Sequence, residues 1–331
     1  MDLTSYANIV AKKVEDFIYS NLKGYPQKLY EASLHYIRAG GKRLRPLVVV
    51  LSSRIGGGSE EIAIPGAAAV EVLHTFTLVH DDIIDKDEFR RGVPTVHKLW
   101  GVEMGIIAGD LLFAYAYKCL LKALEYSVPG ERVAKALEAL TEAAITVAEG
   151  QALDMLLPEM DNASIEDYID MVSKKTAALF AYSAKIGGIL AGAEERLISN
   201  LFNAMMNAGI AFQIRDDILG LVGDEKTLGK PVYSDLREGK RTILVIYSLK
   251  NLDEGKKAKV LSVLGNRKAD IDSLKEVAQI IRESGAIEYA DSLSEMYASK
   301  ALEIVKSIDS NDREALEMFK EVIGFMIKRN Y

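Results

Sequence analysis

Cysteine is nearly absent from this chain. The single Cys119 excludes an internal disulfide and the disulfide-stapled secreted scaffolds, so a reducing cytoplasm is the expected setting. Excess positive charge is missing as well. Lys and Arg total 41 against 48 Asp and Glu, a net charge of −7, which gives no basic face for nucleic acid. No run reaches the ~18 uninterrupted apolar residues of a membrane span. The opening MDLTSYANIVAKKVEDFIYSNL is amphipathic and broken by charges, unlike a signal peptide. Prolines number only seven and fall mainly where helices should start or stop: Pro46, Pro65, Pro94, Pro129, Pro158 and Pro231. Strand signals are scarce.

What is present is helical periodicity. Runs such as RVAKALEALTEAAITVAEGQALDMLL repeat apolar residues three and four apart, and SIEDYIDMV has the form of a capping-box start, Ser164 with Asp167. The segments IGGGSEE, SVPGE and EMDNAS read as turns. The chain's 331 residues exceed two average domains, yet no repeat, low-complexity tract or long linker divides them. The expectation is one all-α domain over 1–331, with outer, more charged helices from about Leu252.

The densest charge is LVHDDIIDKDEFRRG, residues 78–92, at the end of an apolar run. At about 100° per residue, Asp81 and Asp85 share one helix face, with His74 on nearly the same stripe. Carboxylates without thiolates suit a hard cation such as Mg²⁺, which keeps waters and shares its sphere with phosphates. Arg90 and Arg91 add the planar forks that phosphates take. Taken alone, the stretch is also what a solvated helix end looks like. GGKRLRP (40–46) supplies clustered cations, Lys42, Arg43 and Arg45, behind two glycines that permit close backbone approach. SKKTAALF places Lys174, Lys175 and Thr176 before an Ala-rich helix. FQIRDDILGLVGDEKTLGKPVYSDLREGKRT, from 212, carries a second pair, Asp216 and Asp217, with Gln213 one turn earlier and Lys230 and Lys240 in later loops. Two carboxylate groups, each trailed by cations, are suited to hold a diphosphate through up to three Mg²⁺ ions and to stabilise it as it leaves.

These motifs, in this order, resemble the trans-prenyl diphosphate synthases (polyprenyl synthetases), above all short-chain members of archaeal type. GGKRLRP, EVLHTFTLVHDDIID, RRG, KTAAL and FQIRDD…LGK…GK carry the likeness from about Tyr30 to Thr242. The resemblance implies an isoprenoid synthase fold, a large helical bundle around a deep central cavity, in a homodimer. It implies Mg²⁺-dependent condensation of isopentenyl diphosphate with C5, C10 and C15 allylic diphosphates by ionisation, condensation and elimination, with a C20 product. By the same resemblance, Lys42, Arg45, His74 and Arg91 contact isopentenyl diphosphate. Arg90, Lys175, Thr176, Gln213, Lys230 and Lys240 serve the allylic diphosphate. Asp81, Asp85 and Asp216, supported by Asp82, hold metal. Phe76, five residues before Asp81, with small Thr77 beside it, sets product length, and a helical wheel brings Phe76 in from the flank. Phe113 and Tyr117 close the pocket from another helix or simply pack in the core. One departure stands out: the second motif reads DDILG, so Gly220 stands where the family has a carboxylate, with Asp217 and Asp224 as the candidates to replace it. Competing readings are the same chemistry with a C15 or longer product, a class I terpene cyclase, and a non-catalytic partner subunit. GGKRLRP argues against the cyclase, and the intact aspartates argue against the silent subunit.

Overall fold

Five of the helices begin where an oxygen-bearing side chain meets an unpaired backbone donor. Asp2, Ser164, Thr242, Asp253 and Asp270 each accept the N–H three residues on, satisfying one of the orphan donors of a helix start. At Ser164 the bonding is reciprocal, because its own N–H donates to Asp167 at 2.9 Å.

The structure, a computed structural model, describes residues 2–160, 162–223 and 233–327. Its first helices are α1 (Leu3–Asn21), α2 (Gln27–Arg38), α3 (Leu44–Ile55) and α4 (Glu60–Asp85). A two-stranded hairpin, β1 (Phe89–Arg90) and β2 (Val93–Pro94), follows and holds the only strands among the described residues. Next come α5 (Val96–Trp100), α6 (Val102–Leu121), α7 (Gly130–Leu156), α8 (Ile165–Val172), α9 (Ala178–Ala191) and α10 (Glu195–Val222). The chain continues through Ser234–Glu238, Ile243–Asn251, Glu254–Val263, Ile271–Glu283, Ala286–Lys306 and Arg313–Ile327, all helical. The all-α expectation holds. Pro65 departs from it in detail: it lies within α4, not at its start. It falls in the second turn, where a missing N–H removes a single early hydrogen bond.

Two compact units make up the chain. The first draws on Met1–Ala144, Leu179–Met205 and Ile304–Val322. Its core is the fully buried apolar face shared by α3 and α4, including Val48, Val49, Leu51, Ala67, Ala68 and Val70. Gly105 and Gly109 on α6 leave room for Ile83 and His80 of α4; a Cβ at Gly109 would stand 2.1 Å from the His80 Nε2. Cys119 is buried in this unit, and burial pushes its thiol up to about 12, so it is inert. The second unit draws on Ile145–Ala178, Met206–Glu303 and Ile323–Tyr331. Tyr168, Ile214, Ile218, Ile243, Leu244 and Val277 centre its core.

Two stretches, Glu60–Asp85 and Val102–Tyr126, are long and apolar enough to cross a bilayer by length and composition. Charged residues interrupt both, so neither is the continuous run excluded from the sequence. In the first, 72% of the apolar window is buried, which accounts for its apolarity as core packing; in the second the share is 44%.

Candidate active site

The loop between α2 and α3 is held by an arginine in an unusual backbone state. Gly40 and Gly41 take positive φ, and Arg43 itself sits at φ 48 as the N-cap of α3. A left-handed L-residue is disfavoured by about 1–2 kcal/mol. Three bonds hold it there: to Glu71 at 2.6 Å, to Glu15 at 3.0 Å and to the Ile37 carbonyl at 2.6 Å. Arg43 is therefore a buried anchor. Lys42 is exposed. The Arg45 guanidinium lies 4.1 Å over the Phe180 ring, with Nη1 3.2 Å from His74 Nε2. An arginine has no acceptor, so His74 accepts there. Burial, then the nearby Arg45 and Arg91, holds His74 well below its ordinary value, so it is neutral.

The hairpin explains why two arginines stand together. Arg91 (φ 54) and Gly92 (φ 77) form a two-residue turn with both φ positive, and Arg90 pairs with Val93. Arg91 donates to the carbonyls of Tyr36 (3.0 Å) and Gly40 (2.6 Å), the bare acceptors at the end of α2. Arg90 turns the other way, onto Asp82, where Nε donates to Oδ1 at 2.8 Å. Arg45, His74 and Arg91 are thus gathered around the GGKRLRP loop.

Asp81 and Asp85 are half-buried and one turn apart on α4, but Asp82 is fully buried. One Asp82 oxygen accepts from Arg90 and the other from the Tyr36 hydroxyl. Its geometry is that of a carboxylate holding Arg90, which departs from the expectation that it joins the metal ligands. The α4 C-terminus has no basic residue in its last turn. Acids at the negative end of a helix dipole are disfavoured unless a cation is supplied, so Asp81 and Asp85 fit a hard cation. Among the described residues no group of three His, Cys, Asp or Glu side chains is placed to hold a metal by itself. That suits Mg²⁺, which takes one or two carboxylates and fills its sphere with waters and phosphate oxygens.

Above this pair, Phe76 meets Phe113 with ring centroids 5.3 Å apart, and Phe113 meets Tyr117 at 5.3 Å. The three aromatics named from the sequence are one continuous edge-to-face row across α4 and α6. The Thr77 hydroxyl is spent locally, donating to the His74 carbonyl at 2.8 Å.

In the second unit, SKKTA does more than precede the Ala-rich helix. Residues Ser173–Ala177 form a π-helical turn between α8 and α9, a widening that leaves two neighbours no room. A Cβ at Gly150 would stand 2.1 Å from the Lys175 nitrogen, and one at Gly209 2.6 Å from the Ala177 Cα. Lys175 pairs with Asp154 at 2.5 Å, while Lys174 reaches Asp170 at 3.1 Å. Thr176 donates to Gln213 (2.9 Å), Gln213 donates to Asp217 (2.8 Å), and Tyr168 donates to the other Asp217 oxygen (2.7 Å). Gln213 thus engages Asp217, one residue past the expected Asp216. Asp216 stays half-buried. Burial, then the charges of Asp235 and Asp216, pushes Asp217 up to about 7.

Asp217 is therefore turned inward and does not replace the carboxylate missing at Gly220. The oxygen beside that position belongs to Asp235, whose Oδ2 lies 2.9 Å from where a residue-220 Cβ would stand. Sequence reasoning passed over Asp235 because it follows Gly220 by fifteen positions outside any periodic pattern. Lys240 pairs with Glu238 at 2.8 Å. Lys230 and Asp224 lie outside the described residues.

Residues 26–281 match the family model described as polyprenyl synthetase. A geranylgeranyl diphosphate synthase of Sulfolobus acidocaldarius is 46% identical over 325 residues, 98% of each chain. A geranylfarnesyl diphosphate synthase of Aeropyrum pernix is 44% identical over 96% of this chain and 99% of that one. The crystal structure of a geranylgeranyl pyrophosphate synthetase from Pyrococcus horikoshii superposes with a TM-score of 0.92 at 40% identity, covering 99% of this chain and 98% of that one. With its motifs and its all-α isoprenoid synthase fold both accounted for, the chain belongs to the polyprenyl synthetase family.

Proposed function

We propose that the chain is a prenyltransferase that condenses isopentenyl diphosphate with C5, C10 and C15 allylic diphosphates and releases geranylgeranyl diphosphate, C20. The observation that carries this reading is the gathering of Arg45, His74 and Arg91 around one loop, in the unit that also holds Asp81 and Asp85. Three cationic or donor side chains suit the isopentenyl diphosphate. By the family's motifs, Arg90, Lys175, Thr176, Gln213 and Lys240 suit the allylic diphosphate. Lys230 belongs to the same set on the sequence alone.

Asp81, Asp85 and Asp216 would hold Mg²⁺, up to three ions. When bound, the metal offsets diphosphate charge and makes it a better leaving group. The protein's own part is to orient and to stay out of the way. The allylic carbon–oxygen bond breaks, the isopentenyl double bond attacks the delocalised cation, and the released diphosphate takes the lost proton. A neutral His74 adds no positive charge opposing that cation. The row Phe76–Phe113–Tyr117 supports a floor for the growing chain. We place the enzyme in the cytoplasm and read both units as one functional domain, since the family match runs through each. A homodimer is supported by α6, whose Val102, Ile106, Ile107 and Leu121 are 44–50% exposed.

Labelled isopentenyl diphosphate, Mg²⁺ and each allylic starter, with an EDTA control, test the proposal. A C20 alcohol after dephosphorylation is expected from all three, and none with EDTA. A C25 product, which the Aeropyrum pernix relative's name makes the second reading, would keep the chemistry and move the floor. No incorporation in wild type would refute the elongase. Phe76→Ala is expected to lengthen the product by at least one isoprene unit; an unchanged product removes Phe76 as the floor.

A further inference from the structure

We infer that Tyr36 and Tyr168 are positioning residues of the reaction, each acting through the inward aspartate of its pair. Tyr36 acts through Asp82 on Arg90, and Tyr168 acts through Asp217 on Gln213 and Thr176. The inference rests on the diphosphate reading above, in which Arg90, Thr176 and Gln213 serve the allylic substrate.

Both tyrosines are fully buried, and a buried phenol needs a hydrogen-bond partner. A backbone carbonyl would satisfy that need. In each unit the hydroxyl is instead given to a carboxylate whose second oxygen holds a side chain of the site. In the first unit the direction of the bond follows from its neighbours. The Tyr36 oxygen already accepts the Val96 N–H at 3.2 Å, so its one hydrogen goes to Asp82. A carboxylate turns easily about its terminal torsion, which has broad wells. A bond on the rear oxygen fixes where the front oxygen points. At Asp82 the front oxygen holds the Arg90 fork through Nε at 2.8 Å, and at Asp217 it holds the Gln213 amide at 2.8 Å. The Gln213 carbonyl then receives the Thr176 hydroxyl at 2.9 Å, directly beside Lys175. The same three-part construction thus occurs in two separately built units, with different donors at its end.

Two double-mutant cycles test it, read by calorimetry with a non-ionising allylic thiolodiphosphate and, separately, isopentenyl diphosphate, both with Mg²⁺. Tyr36→Phe keeps the ring and removes only the oxygen. We expect it to weaken allylic binding about five- to tenfold, the size of one lost hydrogen bond, and to leave isopentenyl binding within about twofold. In an Arg90→Ala background the same change should have no further effect. Tyr168→Phe should behave alike, with its effect absent in Gln213→Ala. Additive losses in either cycle, or equal weakening of both substrates, would overturn the inference, as would failure of both Phe variants to fold. If only one variant fails to fold, the cycle in the other unit decides. Inactivity of the wild type would instead refute the proposed reaction, and it is read in a different assay.

Discussion

On α4 the buried aspartate of the pair shares its carboxylate with a guanidinium and a phenol. On α10 the buried aspartate shares its carboxylate with an amide and a phenol. Otherwise the two sites are alike: a half-buried leading aspartate, Asp81 or Asp216, then an inward one received by a buried tyrosine. Burial pushes both inward carboxyls up, because charge is poorly solvated there. At Asp82 the Arg90 charge opposes that push. At Asp217 the hydrogen-bond partners are neutral and the nearest charges are acidic, so it reaches about 7. The difference shows that one buried acid can be accommodated in two ways, by a cation within reach or by a weakened tendency to ionise. The outward side differs as well. Asp85 follows Asp81 one turn on, whereas the matching place in the second pair is Gly220, beside an Asp235 oxygen.

Substitutions can break or sharpen this comparison. The largest effect is expected from Asp81→Ala, which should lower turnover by about a thousandfold or more while the circular dichroism stays native. Near-normal activity would remove Asp81 from the metal set. Next, the inward acids should part company in a denaturant titration. Asp82→Asn leaves Arg90 with only Asp87, at 3.3 Å, as its counter-charge; the arginine's 28% side-chain exposure tempers the loss, which should still be about 2 kcal/mol. Asp217→Asn replaces a carboxyl already partly protonated near neutral pH and should lose only about 1 kcal/mol. Equal losses would show that the two sites are balanced in the same way. The glycines come third. Gly209→Ala meets backbone at the π-turn and should cost about 2 kcal/mol, whereas Gly220→Ala meets only the end of Asp235 and should cost less than about 1 kcal/mol. The smallest effect concerns pH. His74 binds its proton less readily folded than at its unfolded value of about 6.5, so the unfolded state gains protons first as pH falls. The stability that neutral His74 contributes is present above about pH 6.5 and is lost below it. His74→Gln should therefore flatten the fall in melting temperature between about pH 7 and pH 5, and an unaltered slope would place the titration elsewhere.

Much of this was readable from periodicity. The helix period put Asp81 and Asp85 on one face and aligned His74 with them, and the motif order pointed to the family. The same period, read strictly, also turns Asp82 about 100° away from Asp81, which is why it faces Tyr36. What no period could reveal was the partner, because Tyr36 is 46 positions earlier and Tyr168 is 49 before Asp217. The hairpin was hidden because its strands are two residues each and its turn puts an arginine where glycine or asparagine is the usual sign. Asp235 was missed for a related reason: its nearness to Gly220 is made by the fold and not by spacing.

The wide turn at Ser173–Ala177 sorts two residues that the sequence cannot tell apart. Lys174 and Lys175 are chemically identical neighbours, yet one pairs with the exposed Asp170 and the other with Asp154, whose side chain is only 13% exposed. An extra residue in one turn offsets everything before it by about 100° relative to everything after. Deleting a single residue there would restore the ordinary helical register and shift one lysine toward the other's surroundings without altering either side chain. In this stretch which lysine meets the less exposed acid is a property of backbone phase, and an alignment that places a gap inside SKKTA would pair the wrong lysine with Asp154.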